Sequence, residues 1–232
     1  MNTADLPTVL IPEVAHVGSL DVSRQKSGSY EGRCLSVSQV PSSWARIARL
    51  GDSGFILSGR GCFIDALELT ESQRTDVIDW AVTEGLLELR QIVRLHIFDC
   101  ETELWDYSDF PSMEMAMGET EFLEEEDFRM EEMPAHIATV ELAIPAGHDL
   151  KHMDSSMSFD LALIEFASRD AAIDGIWWNE HYDPSSLSAP RGGIFPDRIA
   201  SFDVRSADWE ALEEFEERFT SMDLEPYMAD AM

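Results

Sequence analysis

Three short runs carry side chains suited to one piece of chemistry: His16-Val-Gly-Ser19 near the amino terminus, Glu31-Gly-Arg-Cys-Leu-Ser-Val-Ser38, and Asp174-Gly-Ile-Trp-Trp-Asn-Glu180 late in the chain. Imidazole and hydroxyl groups hold sugar hydroxyls, and a lone carboxylate stabilises the positive charge that develops when a bond to an anomeric carbon breaks. Trp177 and Trp178 offer a flat wall for an aromatic ring, although strand alternation sends one of the two into the core. Arg191-Gly-Gly193 suits a pyrophosphate, because Arg pairs with phosphate and Gly permits close backbone approach. In this order the runs suggest an NAD pocket. Glu180, His16, Ser36, Ser38, Trp178 and Arg191 are its candidate site residues.

Other constellations are weaker. His148, Asp149, His152 and Asp154 include a His pair at i, i+4, as a zinc site on a helix requires, but no HExxH and no third ligand at a familiar spacing; a solvated loop or helix start is the simpler account, and no metal is expected. Gly51-Asp-Ser-Gly54 resembles the tetrapeptide around a serine protease nucleophile, yet it follows a helical pattern as a turn would. There is no GxSxG, P-loop or GxGxxG. Cys34, Cys62 and Cys100 are too few and too scattered for a disulfide framework, so a reducing, cytoplasmic setting is the expectation.

The elements that must position these residues follow from periodicity. Leu10 to Val22 is extended, Ser23 to Tyr30 is a loop, and Leu35 to Ser38 alternates as a strand. Pro41 opens a helix that ends at Gly51, with Trp44, Ile47, Ala48 and Leu50 on its apolar face. Phe55-Ile-Leu57 and Cys62-Phe-Ile64 read as strands around a Gly59-Arg-Gly61 turn, Thr70 to Glu88 as an amphipathic helix, and Gln91 to Phe98 as a central strand. A strand from Ile137 to Ile144, a helix from Ser155 to Ser168, short strands at Ile176–Trp178 and Ile194–Phe195, and a helix from Ala207 to Arg218 behind Ser206 complete the chain. The mixture predicts one α+β domain over residues 1–232, and its 44% hydrophobic fraction is enough to fill a core.

Strand-borne His-x-Gly-Ser, a second strand with Ser-x-Ser followed at once by a helix, and a late Asp-Gly-Ile strand before Asn-Glu resemble the NAD-dependent ADP-ribosyltransferases over roughly 50 residues. The resemblance implies a split mixed sheet with flanking helices. It also implies that His16 holds an NAD ribose hydroxyl, that Ser36 and Ser38 stand in the second motif, and that Glu180 is catalytic. Val37 replaces the middle Thr of the family's Ser-Thr-Ser, and Glu180 has no Glu-x-Glu or Gln-x-Glu, so the fold without transferase activity stays open.

Charge points elsewhere. Against 46 acidic residues stand 16 basic ones, a formal net charge of -30, which repels nucleic acid and anionic membrane and favours basic protein surfaces. Between Asp99 and Glu132 lie 14 acidic residues and one basic residue, Arg129, expected to form an acidic helical insertion broken at Pro111. Met113, Met115, Met117, Met130 and Met133 accompany it, as core filler or as an adaptable contact surface. Glu124, Glu125, Glu126 and Asp127 are the candidate partner-binding residues, either as a solvated face or as a docking surface for a basic, nucleic-acid-binding protein. Such a surface imitates the phosphate track of DNA, and an inhibitor of that kind needs no catalytic group. The negative field makes direct nucleic-acid contact unexpected, and with no basic-then-apolar leader and no 18-residue apolar run, membrane contact is not expected either.

Overall fold

In the computed structural model, residues 3–21, 31–42, 53–99, 104–121, 123–124, 127–149, 153–180 and 189–223 are described. They form strands β1 (Thr8–Val17), β2 (Leu35–Ser38), β3 (Ser53–Asp65), β4 (Leu87–Asp99), β5 (Leu104–Phe110), β6 (Phe128–Ala138), β7 (Gly175–Trp178), β8 (Arg191–Ile194) and β9 (Asp203–Asp208). The helices are α1 (Glu71–Thr83), α2 (Met113–Gly118), α3 (Val140–Ala143), α4 (Ser155–Ser168) and α5 (Trp209–Asp223). The architecture is mixed α+β, and contacts group it into two compact units: Met1–Lys26, Arg33–Arg74 and Ile164–Met232, and then Ser27–Gly32 with Thr75–Leu163.

In the first unit, β1, β2, β8, β7 and β3 pair in that order, and β1 also pairs with β3, so the five strands close into a barrel-like ring. The long β3 makes closure possible, because Phe63–Asp65 run parallel to β7 while Ser53–Ser58 carry β9 as an antiparallel extension. The β1–β3 register slips between Ile11 and Glu13, where Pro12 has no N–H to donate. Inside the ring Val14, Leu35, Val37, Leu57, Phe63, Trp177, Ile194 and Phe202 pack together, with the Phe63 and Trp177 rings edge to face at 5.9 Å. On the other face Ala15, Val17 and Ile56 meet Ala207 and the Leu212 and Phe215 stripe of α5. The Asp208 carboxylate accepts the Ala211 N–H at 3.0 Å and caps that helix. Gly175 is required by contact: a Cβ there would lie 2.0 Å from the Gly193 carbonyl oxygen.

In the second unit β4 is central, with β5 and β6 antiparallel on either side. Pro134 sits on the edge strand β6, where a missing N–H is tolerated. Arg94 donates from Nε to Asp109 Oδ1 at 2.7 Å and from Nη2 to Oδ2 at 3.0 Å, and Asp109 also accepts the Ser155 hydroxyl at 2.5 Å and its N–H at 3.1 Å. This buried network ties the start of α4 to the sheet. Burial alone raises the Asp109 carboxyl, but the Arg94 and Ser155 hydrogen bonds outweigh it and hold it below the usual range.

Several expectations need correction. β3 is one continuous strand, because Gly61 makes room for packing and does not turn the chain: a Cβ there would meet Phe63 at 2.5 Å and Phe202 at 2.9 Å. The helix from residue 71 stops at Thr83, and Gly85 takes φ +73 before β4 begins. The apolar run at 137–144 is the end of β6 and then helix α3, two states that a short apolar run does not distinguish. Among the described residues the acidic segment is not a helical insertion alone: β5 and the start of β6 flank the six-residue α2, since Trp105, Tyr107 and their neighbours pair along β4. Residues Ser206 and Ala207 belong to β9, and α5 starts at Trp209. The helix expected after Pro41 falls outside the described residues from 43 onward.

Candidate functional site

Register sets parts of the three runs on neighbouring strands of the first unit. Ala15 pairs with Ser38, Ser38 with Arg191, and Arg191 with Trp178, a single row across β1, β2, β8 and β7. Ser36 pairs with Gly193 one step away on the same face, whereas Val37, Gly192 and Trp177 form the alternate row. Both tryptophans are buried: Trp177 joins the core inside the ring, and Trp178 lies on the face that carries Ser38 and Arg191.

His16 falls between Ala15 and Val17, which face α5, and so shares the opposite side of β1 with the core residue Val14, away from the face that carries Ser38, Arg191 and Trp178. It is 5% exposed, with Nδ1 2.7 Å from the Ser36 carbonyl oxygen and Nε2 3.0 Å from that of Ser19. A neutral imidazole donates from one nitrogen only. Burial lowers the imidazole pKa, the two carbonyl contacts raise it, and burial prevails. The ring thus braces β1 against β2 and the turn at Ser19, and the Cβ-free Gly54 lets β3 approach, since a Cβ there would lie 2.0 Å from the His16 carbonyl oxygen.

The Ser38 hydroxyl is buried, donating to the Pro190 carbonyl at 2.7 Å and accepting the Val40 N–H at 2.9 Å. Ser36 is half-buried, its carbonyl taken by His16. Beyond β7, Glu180 Oε1 accepts from Arg191 Nε at 3.0 Å and forms an ion pair with Nη2 at 2.9 Å. The guanidinium carbon stands 4.9 Å from the centre of the Trp178 ring, a cation–π contact. Side-chain exposures of 14% for Arg191 and 30% for Glu180 place the pair at the solvent boundary. Gly192 serves packing, because a Cβ would meet the Trp177 ring at 2.5 Å and the Ile176 carbonyl at 2.8 Å.

Asp174 is a positioning residue that the spacing of the runs did not single out for any role of its own. Its carboxylate accepts the Cys62 N–H at 2.8 Å, its N–H donates to the Cys62 carbonyl, and its carbonyl accepts from Phe195, joining β3, β7 and β8. The visible signal was the polar Asp-Gly step at the mouth of an apolar strand. An open depression of about 510 Å³ begins at Gly18 and Ser19 of the His-x-Gly-Ser run and is lined further by Gly54, Phe55, Ser206 and Asp208; Trp178, Glu180 and Arg191 are not among its walls.

In the second unit Glu124 is exposed and Asp127 half-buried, linked by the Asp127 N–H to the Glu124 carbonyl at 3.0 Å, while Glu125 and Glu126 lie outside the described residues. His152 also lies outside them, and among the described residues no group of three or more His, Cys, Asp or Glu is placed to hold a metal ion. Among the same residues no helix is long and apolar enough to cross a membrane. The molecule is defined at this level as a mixed α+β protein with a barrel-like sheet and a polar cluster at one row of it. Comparison with protein-family models, with curated proteins and with solved structures finds no match.

Proposed function

We propose that the first unit is an ADP-ribosyltransferase-like domain that binds NAD and transfers ADP-ribose to a macromolecular target or hydrolyses NAD. The observation that carries this reading is a row on one face of the sheet: Ser38, Arg191 and Trp178 share it, Ser36 stands one step along the same face, and Glu180 pairs with Arg191. Breaking the nicotinamide–ribose bond builds positive charge on the ribose, and the Glu180 carboxylate is the group that stabilises it. Arg191 takes the pyrophosphate, Trp178 shields the site from water, and His16, on the other face of β1, holds the position of Ser36 through its carbonyl. The test is incubation with NAD labelled on the adenylate, alone and with a cell lysate. Label moving onto protein supports transfer, and ADP-ribose appearing without a lysate supports hydrolysis; an unchanged NAD pool in both contradicts the proposal.

A second reading rests on charge. Glu114, Glu119, Glu121, Glu124, Glu131 and Glu132 are all exposed in the second unit of a chain with net charge -30. They support docking on a basic protein, including a DNA-binding one whose phosphate contacts the carboxylates imitate. Neutralising Glu124, Glu125, Glu126 and Asp127 together is expected to weaken capture of DNA-binding proteins by about tenfold at 0.1 M salt; undiminished capture removes this run from the interface.

A further inference from the structure

We infer that Arg191 serves two anions in turn, the Glu180 carboxylate and the diphosphate of a nucleotide, so that the arrival of the diphosphate releases Glu180 to the ribose. This inference rests on the NAD reading of the site. Both Nε and Nη2 of Arg191 are directed at the one Glu180 oxygen, at 3.0 and 2.9 Å, which spends the fork that recognises phosphate on an internal carboxylate. A carboxylate in that contact has its charge compensated and stabilises a ribosyl cation poorly. Exchange is easy here for two physical reasons. The pair reaches the solvent boundary, so a diphosphate can approach it, and Arg191 stays in place without Glu180, because its backbone is laddered to both Ser38 and Trp178 and its guanidinium rests on the Trp178 ring. A diphosphate brings more charge than one carboxylate and fits the same fork.

Competition makes a distinctive prediction: removing the internal anion strengthens nucleotide binding even as it abolishes catalysis. Calorimetric titration with ADP-ribose, which has the diphosphate but no bond to cleave, is the experiment, with adenosine as the phosphate-free control. Glu180→Gln is expected to bind ADP-ribose about two- to fivefold more tightly than the unaltered protein, Arg191→Gln about tenfold more weakly, and the double variant like Arg191→Gln alone, with adenosine indifferent throughout. If Arg191→Gln does not fold, Arg191→Lys supplies the comparison by keeping the charge and giving up the fork. Binding that weakens in Arg191→Gln but is unchanged or weaker in Glu180→Gln overturns the exchange and leaves the NAD reading standing. Failure of the unaltered protein to bind either ADP-ribose or NAD overturns the NAD reading, and the exchange falls with it.

Discussion

Burial keeps the His16 imidazole below its ordinary pKa, although carbonyl oxygens face both of its nitrogens. The unfolded chain takes up a proton on this ring near pH 6.5 and the folded chain only at lower pH, so the stability conferred by the neutral ring is present above that value and is lost as pH falls. Urea unfolding at pH 7.5 and 5.0 should therefore show a smaller loss for His16→Asn than for the unaltered protein, and parallel losses would contradict the burial account. Asp109 runs the other way in origin but not in sign. Its carboxyl is held low by Arg94 and Ser155, so its contribution is present above the ordinary Asp range and lost in acid. Asp109→Ala leaves Arg94, 18% exposed in its side chain, without that partner, and should cost about 3 kcal/mol at pH 7. A loss below about 1 kcal/mol would show that water or a neighbour replaces the carboxylate.

Elements with a clean period were legible in the chain. Leu35 to Ser38 and Ser155 to Ser168 have the bounds that alternation and apolar density predict, whereas alternation sets Trp177 and Trp178 on opposite faces but both are buried, not one alone. Elements held by partners were not. The polar β9 exists because its backbone pairs with Ser53–Ser58, and no side-chain pattern in Asp-Val-Arg-Ser-Ala-Asp announces it. The glycines of β3 looked like a turn because sequence does not show the Phe202 ring that fills their space. For the site, the side chains were legible but their partners were not: that Ser38 bonds to Pro190 depends on register between strands more than 150 residues apart, and that Glu180 pairs with Arg191 depends on how β7 and β8 pair. Gly175→Ala tests that register directly. Its Cβ meets a backbone oxygen of β8, which has no rotamer to yield, so a loss of about 3 kcal/mol is expected, and near-neutral thermal stability would mean that β7 and β8 are more loosely paired than described.

At the scale of the whole molecule, charge works against folding as well as for recognition. A net charge of -30 on 232 residues repels itself, and salt shortens the range of that repulsion from about 10 Å at 0.1 M to about 3 Å at 1 M. The melting temperature should therefore rise by about 2–5 °C across that interval in sodium chloride, and a fall would show that the ion pairs Arg94–Asp109 and Arg191–Glu180 matter more than the net field. The same salt weakens a charge-led encounter with a basic partner, which leaves NAD chemistry as the property that separates the two functional readings. Release of free nicotinamide from NAD by the purified protein, compared with folded Glu180→Gln, is the most direct measurement. The account predicts release that falls at least a hundredfold in the variant; no release from either protein, or equal release from both, would contradict it.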